Sequence, residues 1–210
     1  MNTGILFIIL SLVLAYLIGS FPSAYIVGKL RSGVDIRDIG SRNMGAMNVF
    51  YRVGFWWGML VLGLDIGKGA LAVGIAIWSG THLYVQMAAG VMAVIGHNFP
   101  IFLKFRGGKG GASCIGILVV LMPWGLIIYP AIFGILLAIT RFPTLSYSIA
   151  FLAFPFIGAF LNHSLALAVF SIVLILLPGL RYIPRIVEMY HKAGGRWKHV
   201  LMRRGLKDRL

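Results

Sequence analysis

The stretch that decides the fold runs from Tyr84 to Gly111 and reads YVQMAAGVMAVIGHNFPIFLKFRGGKGG. Its first part is apolar and uncharged as far as Lys104, whereas its last part combines three cations with four glycines. An apolar segment that ends in lysine and arginine is typical of a membrane helix reaching the cytoplasmic side of a bilayer. The stretch therefore predicts a membrane helix over about residues 83–99, followed by a basic cytoplasmic loop.

The glycine-rich loop has the composition of a phosphate-binding loop. Gly107, Gly108 and Gly110 surround Lys109, and glycine lets consecutive N–H groups approach a ligand and point to one side. Lys104 adds a further cation. The loop is not a Walker A motif, because glycine follows the lysine where that motif has serine or threonine. The alternative is a short basic turn between two membrane helices, which has the same composition.

The overall composition indicates an integral membrane protein. Hydrophobic residues make up 60% and charged residues 11% of the 210 residues, whereas soluble domains are about 25% charged. The net charge of +14 fits loops that face an anionic leaflet, so a lipid bilayer and not a nucleic acid is the expected partner. Cys114 is the one cysteine of the chain, which excludes an intrachain disulfide and a cysteine-rich metal site.

Basic clusters alternate with uncharged apolar segments, and this alternation sets the predicted topology. With the N-terminus outside, seven crossings place every cluster on the cytoplasmic side. The predicted crossings cover about 4–28, 54–78, 83–99, two short helices within 112–140 that turn near Pro123, 143–160 and 164–180. We therefore predict an all-α integral membrane protein with about seven transmembrane helices and a cytoplasmic C-terminus. Residues 1–180 form its polytopic membrane domain, and 181–210 form a basic amphipathic tail on the inner leaflet.

Two charged residues and a serine near a proline stand out inside the predicted membrane helices. Asp65 and Lys68 are three residues apart and share one helix face. Because charges in a membrane usually pair or serve a site, the two residues either form an ion pair that fixes packing or contact a ligand. Ser20 lies where Pro22 interrupts the first helix; the proline frees a backbone carbonyl that Ser20 could bind, and the alternative is a simple kink.

The first cytoplasmic loop, DIRDIGSRNMGAMN from Asp35 to Asn48, is dense in neutral hydrogen-bond donors. Ser41, Asn43 and Asn48 favour a binding site there, and the alternative for Asn48 is capping of the next helix. His97 ends a predicted helix next to the glycine-rich loop. A histidine in that position is either structural or part of the site.

Five motifs in this order resemble those of the bacterial acyl-phosphate:glycerol-3-phosphate acyltransferase (PlsY) family. They are GSFP at 19–22, DIR at 35–37 with GSRNMGAMN at 40–48, LDIGKG at 64–69, GHNFPIF at 96–102 and FRGGKG at 105–110. The resemblance covers nearly the whole chain. It implies seven membrane helices, an outside N-terminus and motifs at the cytoplasmic face of the cell (inner or plasma) membrane.

The family resemblance also implies a reaction. A fatty acyl group passes from an acyl-phosphate to the 1-hydroxyl of glycerol 3-phosphate, giving lysophosphatidic acid and phosphate for phospholipid biosynthesis. The family uses no metal, cofactor, acyl-CoA or acyl carrier protein, and the leaving phosphate takes the acceptor's proton. Lys109, Ser41 and His97 are then the expected catalytic residues. The expected substrate-binding residues are Asn43, Asn48, Gly107, Gly108, Gly110, Lys104, Arg52, Ser20, Ser146 and Arg185.

The chain departs from the family pattern at several positions. An arginine expected near Tyr51 is replaced by Arg52, one residue on. Arg42 stands at a usual glycine, Met47 at a usual threonine and Tyr147 at a usual serine. Tyr182 and Arg185 stand where a histidine and an asparagine that bind the acceptor are expected. The sequence therefore indicates a divergent member. The alternatives are an acyltransferase with a different hydroxyl acceptor and, in another class, a non-enzymatic binder or transporter of anionic lipid.

Overall fold

The computed structural model describes residues 3–197, in which every regular element is a helix. Residues 198–210 of the predicted tail lie outside the described residues. The α-helices are α1 Thr3–Gly19, α2 Ser23–Ser32, α3 Ala46–Arg52, α4 Phe55–Trp78, α5 Leu83–Asn98, α6 Gly111–Leu121, α7 Gly125–Thr140, α8 Pro143–Phe151, α9 Ala153–Phe156 and α10 Leu165–Lys192. A 3₁₀ turn covers Ile101–Leu103, and a π-helical turn covers Ile157–Leu161.

The helices have the lengths and composition of a multi-pass membrane protein. Five apolar segments are long enough to cross a bilayer: Gly4–Ser32, Phe55–Trp78, Leu83–Leu103, Pro143–Leu161 and Leu165–Lys192. Helices α6 and α7 are apolar but shorter, and they lie where the two short crossings are predicted. The all-helical membrane fold is thus confirmed. The count of seven crossings and the sides of the two termini stay predictions.

Two elements differ from the helices expected from the sequence. The first predicted helix divides into α1 and α2 around Pro22. The last helix passes through Pro178 and Pro184 and continues to Lys192, twelve residues beyond the expected end at residue 180. Arginine and lysine are good helix formers, so a basic cluster marks the edge of the bilayer and does not end a helix.

Pro178 shows how α10 tolerates a proline in its interior. A proline has no N–H, so the carbonyl four residues earlier, that of Leu174, loses its intrahelical partner. The Cys114 thiol of α6 donates to this carbonyl at an Sγ–O distance of 3.4 Å. The one cysteine of the chain thus satisfies a backbone group that would otherwise be unpaired inside the bundle.

Glycine gives the centre of the bundle its tightest contacts. Gly69 of α4 lies against the Ser113 carbonyl of α6, and Gly116 of α6 lies against the Ile66 carbonyl of α4. In the same way Gly96 of α5 lies against the backbone of α1. A side chain at any of these positions would overlap the neighbouring backbone, and small residues let membrane helices pack this closely. Helices α1, α4, α5 and α6 form this closely packed centre.

A small apolar cluster fixes the loop from Asp35 to Asn48, the first loop, to one end of the bundle. The buried side chains of this cluster come from α2, the loop, α3, α4 and the 3₁₀ turn: Ala24, Val27, Ile36, Met44, Val49, Val61 and Leu103. Ile36 and Met44 of the loop are almost fully buried. Their burial anchors the polar residues between them in the same place. The loop is therefore a packed part of the fold.

Candidate active site

The glycine-rich loop folds back onto the end of α5. The Gly107 N–H donates to the Asn98 carbonyl at 3.2 Å, and the Gly108 N–H donates to the His97 carbonyl at 3.1 Å. The sequence predicts that these two N–H groups hold phosphate, but both already donate to carbonyls at the end of α5. Within the described residues, the N–H groups of residues 109–113 have no hydrogen-bond partner. The open donors thus lie slightly later than expected, at the positive end of the α6 dipole.

Gly108 is the point at which three parts of the site meet. A Cβ at this position would overlap the His97 imidazole at Nε2 and would come within 2.5 Å of the Met44 carbonyl oxygen. Only glycine fits between the imidazole and the first loop. The predicted adjacency of His97 to the glycine-rich loop is thus present, and the first loop joins them. Two residues later, Gly110 has φ +88°, a conformation that favours glycine.

Asn48 organises the first loop from within. Its Nδ2 donates to the carbonyls of Ile36 at 2.8 Å, Ile39 at 3.0 Å and Asn43 at 3.1 Å. Its Oδ1 accepts the Ser41 N–H at 3.1 Å. The side chain is buried and caps neither α3 nor the membrane helix α4, because the N-cap residues of these helices are Gly45 and Gly54. The capping alternative is therefore wrong, and both ends of the amide serve the loop.

Two arginines hold the first loop against its surroundings. Arg37 pairs with Asp35 at an Nη2–Oδ2 distance of 2.6 Å and donates to the Leu103 carbonyl at 3.2 Å. The hydrogen bonds from Arg37 lower the pKa of the Asp35 carboxyl. Arg52 lies over Gly40, where a Cβ would be 2.8 Å from its Nε. Arg37 thus connects the first loop to the turn that precedes the glycine-rich loop, and Arg52 holds the same loop against α3.

Three cations gather at the open end of α6. The Arg181 guanidinium donates to the carbonyls of Asn98 and Gly108, both at 3.4 Å. Arg185 lies one helical turn further along α10. Burial lowers the pKa of the Lys109 ammonium to about 8, and the nearby positive charges of Arg185 and Arg181 act in the same direction. A site whose cations repel one another in this way favours a bound anion.

The buried charges of α4 have a different environment. Asp65 Oδ1 accepts from Ser23 Oγ at 2.5 Å and lies 2.9 Å from Lys68 Nζ. Lys68 also donates to the Phe21 carbonyl at 3.1 Å, in the break between α1 and α2. The carbonyl that Pro22 would free, that of Ile18, accepts the Phe21 N–H at 3.2 Å. The Ser20 hydroxyl has no partner within the described residues, so the expected bond from Ser20 is wrong. The geometry favours the structural alternative for Asp65 and Lys68, since each has a partner within the bundle.

The remaining predicted site residues divide into two groups. Ser41 and Asn43 are half-buried on the loop that touches Gly108, and Lys104 is exposed on the turn before the glycine-rich loop. Ser20 is fully buried next to α5, and within the described residues its hydroxyl has no hydrogen-bond partner. Ser146 is also buried; its hydroxyl bonds Thr140 Oγ1 and the Phe142 carbonyl, both at 2.9 Å, and closes the turn between α7 and α8.

Sequence reasoning missed Asn98 and Arg181. Asn98 is buried, its carbonyl receives Gly107 and Arg181, and its Oδ1 has no hydrogen-bond partner within the described residues. The signal for Arg181 was present in the sequence, because Arg181 and Arg185 are four residues apart and so share a helix face if the helix continues past residue 180. The expected helix end at residue 180 concealed that signal.

The chain matches a known family along most of its length. The family model described as glycerol-3-phosphate acyltransferase matches residues 9–192. This chain belongs to that family. Glycerol-3-phosphate acyltransferase 2 of Dehalococcoides mccartyi is 52% identical over 208 residues, which are 99% of each chain. The glycerol-3-phosphate acyltransferase of Bacillus subtilis is 47% identical over 139 residues, 66% of this chain and 72% of the relative.

A solved structure agrees with the fold of this glycerol-3-phosphate acyltransferase. The crystal structure of PlsY (YgiH), an integral membrane glycerol 3-phosphate acyltransferase in its glycerol 3-phosphate form, superposes with a TM-score of 0.79 at 29% identity. The match covers 90% of this chain and 94% of that one. The family resemblance found in the sequence is therefore confirmed. The protein is an acyltransferase of phospholipid synthesis and a multi-pass membrane protein, so the non-enzymatic alternative is dropped.

Proposed function

We propose that this enzyme transfers a fatty acyl group from an acyl-phosphate to the 1-hydroxyl of glycerol 3-phosphate, with its active site facing the cytoplasm. The observation that carries the proposal is the gathering of Lys109, Arg181 and Arg185 around the open N-terminus of α6. The reaction brings two phosphate-bearing substrates together at a membrane edge. Their mutual repulsion requires a concentration of positive charge, and this end of the bundle supplies it.

The donor phosphate fits the start of α6. There the unpaired N–H groups of residues 109–113 and the Lys109 ammonium offer a dipole and a full charge to one phosphate. Ser41 and Asn43 lie on the loop in contact with Gly108, and we assign them to the same phosphate. The acyl chain lies along the exposed apolar surface of the helices, which faces lipid.

The acceptor phosphate fits the cytoplasmic part of α10, where Arg181 and Arg185 occupy successive turns. Arg181 forms no ion pair within the described residues, whereas Arg185 shares its charge with Glu188 at 2.7 Å. In the reaction the acceptor hydroxyl oxygen forms a bond to the acyl carbon, and the bond from that carbon to the phosphate oxygen breaks. The proton of the hydroxyl passes to the released phosphate, so the atoms and charges balance. Catalysis is then positioning plus stabilisation of the charge that develops on the carbonyl oxygen and the leaving phosphate.

His97 contributes by shape in this proposal. Its imidazole is buried between Gly108 and Asp65, with Nδ1 at 3.8 Å from Asp65 Oδ1. Its carbonyl holds the Gly108 N–H. The residue therefore sets the position of the glycine-rich loop, and we assign Asn48 the same task on the first loop.

A different hydroxyl acceptor is the second candidate, because Tyr182, Arg185 and Tyr147 all border the site. A Cβ at Gly111, the first residue of α6, would lie 3.9 Å from the Tyr147 ring. Tyr182 and Arg185 lie next to Lys109. The names of the relatives, together with the glycerol 3-phosphate form of the matching PlsY crystal structure, support glycerol 3-phosphate as the acceptor.

The test is an assay of the purified protein with palmitoyl-phosphate and radiolabelled glycerol 3-phosphate. We expect lysophosphatidate and inorganic phosphate in equal amounts. Lys109→Ala should abolish turnover without loss of folding, whereas Lys29→Ala, which removes an exposed cation in the last turn of α2, should retain most of it. Phosphate release with another polyol as acceptor, together with no release with glycerol 3-phosphate, would establish the second candidate. Turnover retained by Lys109→Ala would overturn the assignment of the site.

A further inference from the structure

Lys109 is held by an aromatic ring. Its Nζ lies 3.7 Å from the centroid of the Tyr182 ring, well inside the distance of about 6 Å for a cation–π contact. Within residues 3–197, Lys109 forms no ion pair. The acidic side chain on this part of α10, Glu188, instead pairs with Arg185 and Lys192, both at 2.7 Å.

The choice of a ring over a carboxylate matters for a site that must bind an anion. A carboxylate against Lys109 would neutralise the ammonium and would compete with an incoming phosphate. An aromatic face attracts the ammonium through its quadrupole but carries no net charge, so the full positive charge stays available. The contact also opposes the repulsion from Arg181 and Arg185, which would otherwise push the flexible lysine side chain away from the site.

The fold fixes the ring itself. Tyr182 lies between Arg181 and Arg185 on α10 and is half-buried. Its hydroxyl interacts with the Thr144 side chain at the start of α8. A lysine side chain loses considerable rotamer freedom when it is fixed, and a ring already held in place reduces that loss on binding.

We propose that Tyr182 is a positioning residue that holds the Lys109 ammonium at the open end of α6, in place for the phosphate of the acyl donor. This inference rests on the proposed function. Without the Tyr182 ring, the Lys109 side chain would sample many rotamers, and the donor phosphate would have to select the productive one. The groups that face Lys109 are Tyr182, Arg181, Arg185 and, further along α10, Glu188.

The first experiment compares Tyr182→Met with Tyr182→Phe in the palmitoyl-phosphate assay. Methionine keeps the bulk and the helix propensity but removes the aromatic face, whereas phenylalanine keeps the face and removes the Thr144 contact. We expect Tyr182→Met to raise the KM for palmitoyl-phosphate about 5- to 30-fold, the range that a partly desolvated cation–π contact supports. We expect Tyr182→Phe to stay within about threefold of the parent enzyme. An unchanged KM in Tyr182→Met, or equal damage in both variants, would overturn the proposal.

The second experiment needs no substrate. Reductive methylation with 13C-formaldehyde labels the lysines, and the Lys109 signal is identified by its loss in Lys109→Arg. We expect Tyr182→Met to titrate Lys109 at lower pH than the parent, since the ring stabilises the charged form, and Tyr182→Phe to titrate like the parent. Identical titration in all three proteins would overturn the contact. The Lys109 titration could depend on the ring in a protein that does not turn over palmitoyl-phosphate. That result would support the contact and overturn its role toward the acyl donor. The two failures are therefore distinguishable.

Discussion

Two groups of charged side chains in this acyltransferase are built in opposite ways. Asp65 and Lys68 are almost completely buried, and their hydrogen bonds to Ser23 and Phe21 complete the pair. At the end of the bundle, Lys109 lies against the Tyr182 ring. Arg181 lies over the Phe99 ring at 4.9 Å and donates two long hydrogen bonds to backbone carbonyls. The charges of Asp65 and Lys68 cancel, whereas the cluster around Lys109 carries excess positive charge.

The contrast distinguishes charges that stabilise the fold from charges that are open to a ligand. A charge inside a bilayer must have a partner in the protein, so the α4 pair holds α1, α2 and α4 together whether or not substrate is present. A charge that receives its partner from a ligand must keep part of its binding capacity open. Both groups contain lysine on an apolar background, and only their partners show which task each has.

The largest effect is expected from breaking the buried pair. Asp65→Asn leaves the Lys68 ammonium without its counter-ion inside the bundle, and we expect it to lower the free energy of unfolding by about 3–5 kcal/mol. The measurement is reversible unfolding in detergent micelles. The double variant Asp65→Leu with Lys68→Met removes both charges and should recover much of that loss. A single variant as stable as the parent would show that the pair does not hold the bundle.

The next effect concerns the loop that carries the open charge. Gly108→Ala places a methyl group against the His97 imidazole and the Met44 carbonyl, so the loop must move. A misplacement of about 1 Å can cost about 100-fold in rate, and we expect a loss of that size in kcat/KM. Gly67→Ala is the matched control, because a Cβ at this helical position in α4 meets nothing within 4 Å. Loss of less than threefold in Gly108→Ala would contradict the close approach.

A pH titration should then move activity and stability in opposite directions. The Lys109 pKa is lowered from 10.5 to about 8 in the folded protein, so the charged form needed for phosphate is lost above about pH 8 and kcat/KM falls there. Between about pH 8 and 10.5 the unfolded chain binds more protons than the folded one, so the free energy of unfolding rises with pH.

Lys109→Met is the control for this titration, because it removes the contribution of Lys109 to the pH dependence of stability. A pH–rate profile of kcat/KM that stays flat to pH 10 would show that the Lys109 charge is not required.

The smallest effect is expected in the first loop. Arg42 has φ 55°, a left-handed conformation in which glycine is unstrained and arginine is not. We expect Arg42→Gly to raise the free energy of unfolding by about 1 kcal/mol or less, with kcat unchanged. Denaturant titration and the acyltransfer assay on the same sample measure both quantities. A destabilised Arg42→Gly would show that the arginine side chain makes a contact worth more than the strain.

The fold class and the grouping of the loops follow from the sequence because they depend on patterns that one chain displays. Apolar length and the positions of lysine and arginine give the membrane segments, and motif spacing gives the family. The divided first helix and the long α10 do not follow in the same way. The chain is broken at Pro22, whereas α10 continues through Pro178 and Pro184. At Pro178 a thiol on another helix binds the freed carbonyl, a contact that no local pattern specifies.

The sequence predicts the residue types of the candidate site, but it does not predict which atoms contact one another. Glycines around Lys109 indicate a loop that binds an anion, but the hydrogen bonds from Gly107 and Gly108 to α5 are long-range contacts that no local pattern specifies. The contact between Lys109 and Tyr182 likewise joins residues more than seventy positions apart. Asn48 looks like a ligand donor in the sequence because its polarity is visible there and its burial is not.

The shortness of α6 and α7 has a consequence for the lipid around the enzyme. Their 11 and 16 residues give lengths of only about 17 and 24 Å, against a hydrocarbon thickness of about 30 Å. For α6 and α7 to cross the membrane as the sequence predicts, the bilayer beside them must thin, or the polar ends of the helices must sit below the headgroups. Either response keeps the glycine-rich loop within reach of the first carbons of a neighbouring acyl chain. In the proposed reaction, an acyl-phosphate dissolved in the leaflet then reaches the loop by lateral diffusion, with no need to leave the membrane.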